Sequence, residues 1–156
     1  MSDLPKRKSI RLKDHDYSAD GAYFLTICTA DKQCILSDII TDGDGDATVH
    51  LTDYGMIVDA YIKTIPEIDQ YVIMPNHIHM IIRKQNGNNI ANDVRSFKTL
   101  VTKAIGHKIW QDRYFDHIIR DDNDYFIKAR YIEGNPGRWL QDEYAPGRDA
   151  HVVAGT

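Results

Sequence analysis

Tyr71-Val72-Ile73-Met74-Pro75-Asn76-His77-Ile78-His79-Met80-Ile81-Ile82 sets two apolar runs on either side of a Pro-Asn break, and the second run opens with His-Ile-His. Proline lacks a ladder donor and Pro-Asn favours a turn, so the stretch predicts two strands flanking that break. Alternate residues of a strand share a face: His77 and His79 project together, whereas Ile78, Met80 and Ile82 point the other way. Two imidazoles on one rigid strand can hold a divalent ion and leave coordination positions for substrate oxygens. The same pattern also describes a hairpin with two surface histidines, and His-x-His alone does not separate these readings.

Outward from this pair the hydrophobic periodicity orders the rest of the chain. Ala22 to Thr29 reads as a strand after the turn signal Asp20-Gly21, and Ile35–Ile40 with Ala47–Leu51 as a small hairpin across Thr-Asp-Gly-Asp-Gly-Asp. From Thr52 or Asp53 as cap, Tyr54, Ile57, Val58, Tyr61, Ile62 and Ile65 recur at helical spacing until Pro66. Residues 85–89 form a loop. A second helix runs from about Ile90 to Ile109 with Ile90, Val94, Phe97, Val101, Ala104 and Ile105 buried. Tyr114 to Ile119 is a strand, and Asp121 or Asp122 caps a third helix ending near Asn135-Pro136. The major order βαββαβα predicts an α+β, ferredoxin-like fold: a four-stranded antiparallel sheet with helices packed on one face.

With 156 residues and 42% hydrophobic content, the chain suits a single domain over residues 1–156. Its first twenty residues or so form a basic arm, and residues 140–156 a loosely packed tail. No apolar stretch approaches the roughly 20 residues of a membrane span, and the N-terminus lacks the apolar core of a signal peptide, so a cytoplasmic protein is expected. Cys28 and Cys34 have no C-x-x-C spacing and read as reduced thiols.

The net charge of −4 is unevenly spread. Residues 83–113 hold seven basic side chains against two acidic ones, and the first thirteen residues five against one. Residues 38–70 hold eight acidic against one basic. Basic segments after the histidine pair and at the N-terminus suit one face toward an anionic polymer, although a solvated helix face and a charged tail have the same composition. Asp42-Gly43-Asp44-Gly45-Asp46 resembles a calcium loop only superficially, because Ala47 replaces the turn glycine and Asp53 the bidentate glutamate; a solvated hairpin turn is expected.

On the third helix Tyr125, Phe126, Ala129 and Ile132 form the apolar stripe, while Tyr131 and Asn135 lie one turn apart on another stripe with Lys128. A phenol with a pKa near 10 is a poor nucleophile by itself, but a metal-polarised phosphodiester and a nearby cation would make its attack feasible. Asn135 could add an oxygen ligand. A half-exposed tyrosine and a helix-ending asparagine before proline fit this segment as well. Trp110 is either a core anchor or a base-stacking platform.

Met74-Pro75-Asn76-His77-Ile78-His79, then Trp110 through Arg120, then Ala129-Arg130-Tyr131-Ile132-Glu133-Gly134-Asn135-Pro136 resemble, in order and spacing, the REP-associated tyrosine transposases. These are single-tyrosine members of the HUH nuclease superfamily, related to insertion-sequence transposases that move single-stranded DNA. Lys6 to Leu12 and Gly21 to Ile27 are similar too, and the resemblance covers about residues 6–140.

The resemblance implies that His77 and His79 are the HUH histidines and Tyr131 the nucleophile. It implies a Mg²⁺ or Mn²⁺ ion held by His77, His79 and Asn135. Attack of Tyr131 on single-stranded DNA would leave a 5′-phosphotyrosine and a free 3′-OH, and attack by another 3′-OH would rejoin the strands without a nucleotide cofactor. The DNA would be a repetitive extragenic palindromic (REP) hairpin. Arg95, Lys98 and Lys103 of the basic helix, with Arg7 and Arg11 of the arm, would contact its phosphates, in a monomer or homodimer. His117 is expected as a hydrogen-bonded group supporting the ion's ligands, or equally as a core-edge histidine. Gly134 departs from the family, where relatives carry a better helix former, and leaves Asn135 mobile as an expectation. An inactive hairpin-binding module and a metal phosphodiesterase using water are the competing classes.

Overall fold

In the computed structural model, residues 21–84, 90–141 and 145 are described. The elements are β1 (Ala22–Cys28), β2 (Ser37–Thr41), β3 (Ala47–Leu51), α1 (Asp53–Ile62), β4 (Ile68–Met74), β5 (His77–Arg83), α2 (Ile90–Ile105), β6 (Phe115–Ile119) and α3 (Asp122–Gly134). Four strands form one sheet in the order β4-β5-β1-β6, and β2 and β3 make a separate hairpin. All its pairings are antiparallel, as the α+β plan expects.

Local chemistry sets the boundaries. Thr52 caps α1, its hydroxyl accepting from Gly55 N at 3.1 Å, and Asp121 caps α3 by accepting from Asp124 N at 2.8 Å. Gly106, at φ 104°, ends α2 four residues earlier than the apolar pattern predicts. The chain then turns back, so that Ile109 accepts from Ala30 N at 2.8 Å and Trp110 bridges Thr29. The first hairpin strand starts at Ser37 because Ile35 and Leu36 bond elsewhere: Leu36 donates to Pro75 O at 2.9 Å and accepts from Thr52 N at 3.0 Å. The acidic 42–46 segment is an exposed turn in which Asp42 Oδ1 accepts from Asp44 N at 2.8 Å and Asp46 N at 3.0 Å.

Because side chains alternate along a strand, the sheet carries two cores. Leu25, Ile27, Ile78, Met80 and Ile82 pack on one face with α1 and α2, through Val58, Ile62, Val94, Phe97 and Val101. Ala22, Ile81 and Ile119 pack on the other with Tyr125 and Ile132 of α3. Two helices therefore share a face, whereas α3 departs from the expectation that all helices lie together. The cause is the apolar content of β5, which is buried on both sides and needs cover on both. Phe126, expected in the apolar stripe, is exposed, so the buried stripe of α3 narrows to Tyr125, Ala129 and Ile132.

Candidate active site

The face covered by α3 is the one that carries the histidines. Thr26 opposes His79 on one side and Val72 on the other, while Cys28 and Met74 flank His77. The two rings lie 4.6 Å apart between centroids at 70°. Both are buried, at 0% and 2% exposure, which removes the surface-hairpin reading. Loss of hydration disfavours the imidazolium form. Burial pushes His77 down to about 4, with Asn135 opposing and Lys32 adding to the shift. It pushes His79 down to about 2, with His77 adding to the effect. Both imidazoles are held neutral, the form that ligates a metal.

Partners on Nδ1 orient both rings. His77 Nδ1 lies 2.8 Å from Asn76 Oδ1, and the Asn76 amide is itself oriented by Nδ2 donating to Lys32 O at 3.2 Å. An amide oxygen only accepts, so His77 carries its proton on Nδ1 and its lone pair on Nε2. His79 Nδ1 meets Thr26 Oγ1 at 2.8 Å, which likewise turns Nε2 to the opposite side of the ring. Neither Asn76 nor Thr26 was singled out from sequence, although the first stands inside the decisive motif and the second alternates with Phe24 on β1.

Asn135 caps α3 and is buried at 1% exposure. Its carbonyl accepts from Arg138 N at 3.1 Å, so the cap is tied into the following Pro136–Gln141 turn and the expectation of a mobile Asn135 is corrected. Asn135 Oδ1 is buried beside the His77 ring and accepts no well-formed hydrogen bond among the described residues, which is costly for an amide oxygen unless a cation or donor meets it. Two imidazole Nε2 atoms and this oxygen form a donor set that fits a divalent ion. Among the described residues no cluster of three His, Cys, Asp or Glu side chains could hold a metal.

Tyr131 reaches the same place from α3. Its ring lies 5.1 Å from that of His79 and 6.0 Å from that of Phe24. The Arg138 guanidinium sits 5.3 Å over the Tyr131 ring and donates to Tyr131 O at 3.0 Å. A Cβ on Gly134 would run into Arg138 Nη1, so the glycine keeps that approach open. Tyr125, by contrast, is buried and donates its hydroxyl to Asp69 beneath the Arg83 guanidinium, and burial pushes its phenol well above the ordinary range. Tyr131, His79, Phe24 and Lys128 line a cleft of about 320 Å³. All four residues proposed from sequence for the chemistry, His77, His79, Tyr131 and Asn135, come together in one copy of the chain.

His117 lines the same cleft, but its Nε2 pairs with Asp124 Oδ2 at 2.8 Å, tying β6 to the first turn of α3 rather than supporting an imidazole. Lys128 completes the row, 3.6 Å from Asp124 Oδ1. On the opposite face, Arg95, Lys98, Lys103 and Lys108 line a groove of about 520 Å³. Arg95 and Lys103 are exposed, and Arg95 donates to Asn92 at 2.6 Å. Lys98 instead donates to Gln111 O at 2.7 Å and Arg113 O at 3.3 Å, and burial lowers its pKa. Trp110 is 1% exposed against Phe97, which makes it a core anchor. Arg7 and Arg11 lie outside the described residues. No helix among the described residues is long and apolar enough to cross a membrane.

The chain is similar to an uncharacterized protein of Haemophilus influenzae, at 34% identity over 88% of this chain and 92% of the relative. It is 31% identical to the REP-associated tyrosine transposase of Escherichia coli K12, over 77% of this chain and 68% of that one. Among solved structures, a REP-associated tyrosine transposase bound to a REP hairpin matches with a TM-score of 0.61 and 24% identity, over 88% of this chain and 82% of that chain. No family model matches.

Proposed function

Since the chain belongs to the REP-associated tyrosine transposases, we propose that it cleaves and rejoins single-stranded DNA beside REP hairpins, with Tyr131 as the nucleophile. The observation that carries this reading is the meeting of the Tyr131 ring, at 5.1 Å, with one of two neutral, buried imidazoles at the end of an open cleft. His77, His79 and Asn135 would hold Mg²⁺ or Mn²⁺, which when bound supplies positive charge that polarises a phosphodiester. Asn76 and Thr26 keep both rings turned with Nε2 toward that position before any ligand arrives, so little reorganisation is needed.

Tyr131 Oη gives up its proton to solvent and forms the new bond to phosphorus, the bond to the 3′-oxygen breaks, and that oxygen takes a proton from solvent and leaves as a 3′-OH. The product is a 5′-phosphotyrosine whose ester energy allows a second 3′-OH to reverse the step. Arg138, lying over the ring and bonded to the Tyr131 carbonyl, limits the ring's freedom to swing from the cleft. The exposed cations of the α2 groove, with the N-terminal arm, supply phosphate contacts for the hairpin.

The test is a denaturing gel of the protein with a REP-hairpin oligonucleotide and Mn²⁺. A band carrying both protein and DNA is expected from the unaltered protein and none from Tyr131→Phe. Cleavage without any covalent species would favour a water nucleophile.

A further inference from the structure

Phe115, 69% exposed, and Ile127, 53% exposed, line the same cleft as Tyr131 from opposite sides. Phe115 opens β6, opposite Thr26 and on the sheet face that bears His79, but beyond the cover of α3; Ile127 comes from α3 itself. Between them the floor is Phe24, and the polar rim is Lys128 with the His117–Asp124 pair. Two large apolar side chains left open to water across one narrow cleft call for a flat, largely apolar occupant. The cleft's volume of about 320 Å³ is at the low end for small-molecule sites and suits one nucleotide rather than a duplex or a peptide helix.

We propose that Phe115 and Ile127 form a nucleobase-binding subsite for an unpaired base next to the scissile phosphodiester. The base stacks on the Phe115 ring, Ile127 closes over its other side, and Lys128 meets the adjoining phosphate. This rests on the reading of Tyr131 as nucleophile, because that reading brings a strand into the cleft. Continuity with Tyr131 and His79 argues for DNA, with Lys128 as the cation on a rim that also holds Asp116 and Asp124. A second copy added along β6 would meet Asp116 and His117 on that edge, a common device against strand pairing. Stacking on an aromatic face tolerates any base, so the subsite positions the strand more than it reads sequence. The platform that sequence offered at Trp110 is thereby transferred to an aromatic that is accessible.

The experiment uses hairpin oligonucleotides with single-stranded flanks in which 2-aminopurine is scanned base by base, bound to the non-cleaving Tyr131→Phe protein. Quenching at one flank position is expected, kept in Phe115→Tyr and lost in Phe115→Ala on the same background. With Tyr131 intact, Phe115→Ala should slow adduct formation at subsaturating DNA by about 5- to 140-fold, the span that stacking losses per base imply. An abasic nucleotide at that position should erase the difference. A scan unchanged by Phe115→Ala, or a dimer that Phe115→Ala converts to monomer in sedimentation, would overturn the subsite. Because the scan needs no cleavage, missing adduct in the unaltered protein would count against Tyr131 and leave the quenching result to decide on Phe115.

Discussion

Tyr131 on α3 and His79 on β5 bring their rings to 5.1 Å although 52 residues separate them, and they do so on the sheet face that α1 and α2 leave uncovered. The contact exists because Tyr125, Ala129 and Ile132 hold α3 against that face while Tyr131 points along it. Tyr131→Phe keeps the ring and its packing. Hairpin affinity and melting temperature are expected to stay near those of the unaltered protein while adduct and cleavage vanish.

Tyr125→Phe has the opposite signature. The lost hydroxyl leaves the half-buried Asp69 carboxylate without one donor, though Arg83 Nε remains 3.5 Å away. A loss of about 1 kcal/mol of stability is expected, with cleavage per folded molecule retained. Chemical denaturation and a cleavage assay on the same samples check both halves.

Calorimetric titration with Mn²⁺ tests the donor set. His77→Gln, His79→Gln and Asn135→Ala should each weaken binding by at least the 10-fold scale seen when metal-site groups are lost, and Asn76→Ala should do so through ring orientation alone. Equal binding by all four variants would remove the site.

The pH dependence of the metal-free protein has a definite sign. Both folded-state histidine values lie below the ordinary 6.5, so the unfolded chain takes up protons first. Stability is therefore full above about pH 6.5 and falls as pH drops, by up to about 1.4 kcal/mol per pH unit per histidine. The loss contributed by His77 levels near pH 4, and that of His79 continues lower. His79→Gln should roughly halve the slope between pH 6 and 5 in denaturant melts.

Much of this site could be read in the chain. Strand alternation put His77 and His79 on one face, and helical phase set Tyr131 and Asn135 apart from the buried stripe. What could not be read was cover: β5 is apolar on both sides, so alternation tells which way a side chain points but not that α3 will bury it. Trp110 remained ambiguous because its burial depends on the chain turning back at Gly106. Arg138 was not legible, since its approach to Tyr131 depends on the way the chain turns after α3 and on a missing Cβ four residues back, at Gly134.

Gly134→Ala separates stability from chemistry. Alanine at the end of α3 raises helix stability by up to about 1 kcal/mol, and the flexible guanidinium of Arg138 moves at little cost. A higher melting temperature with slower adduct formation is expected, and Arg138→Ala should share the slower rate without the higher melting temperature.

In the groove, Lys103→Ala should weaken hairpin binding and flatten the salt dependence by about 0.7–0.9 units of logarithmic slope, as loss of one phosphate contact does. Lys98→Ala should instead cost about 1 kcal/mol of stability, because its ammonium holds the carbonyls of Gln111 and Arg113. Salt-series binding isotherms alongside melts distinguish the two roles.

Peptide mapping of the trapped protein–DNA adduct is the most direct measurement. Digestion and mass spectrometry should place a nucleotide 5′-phosphate on Tyr131, in the peptide between Arg130 and Arg138, with a free 3′-OH on the released strand. A phosphate on Tyr125, or on any residue other than Tyr131, would contradict the assignment of the nucleophile.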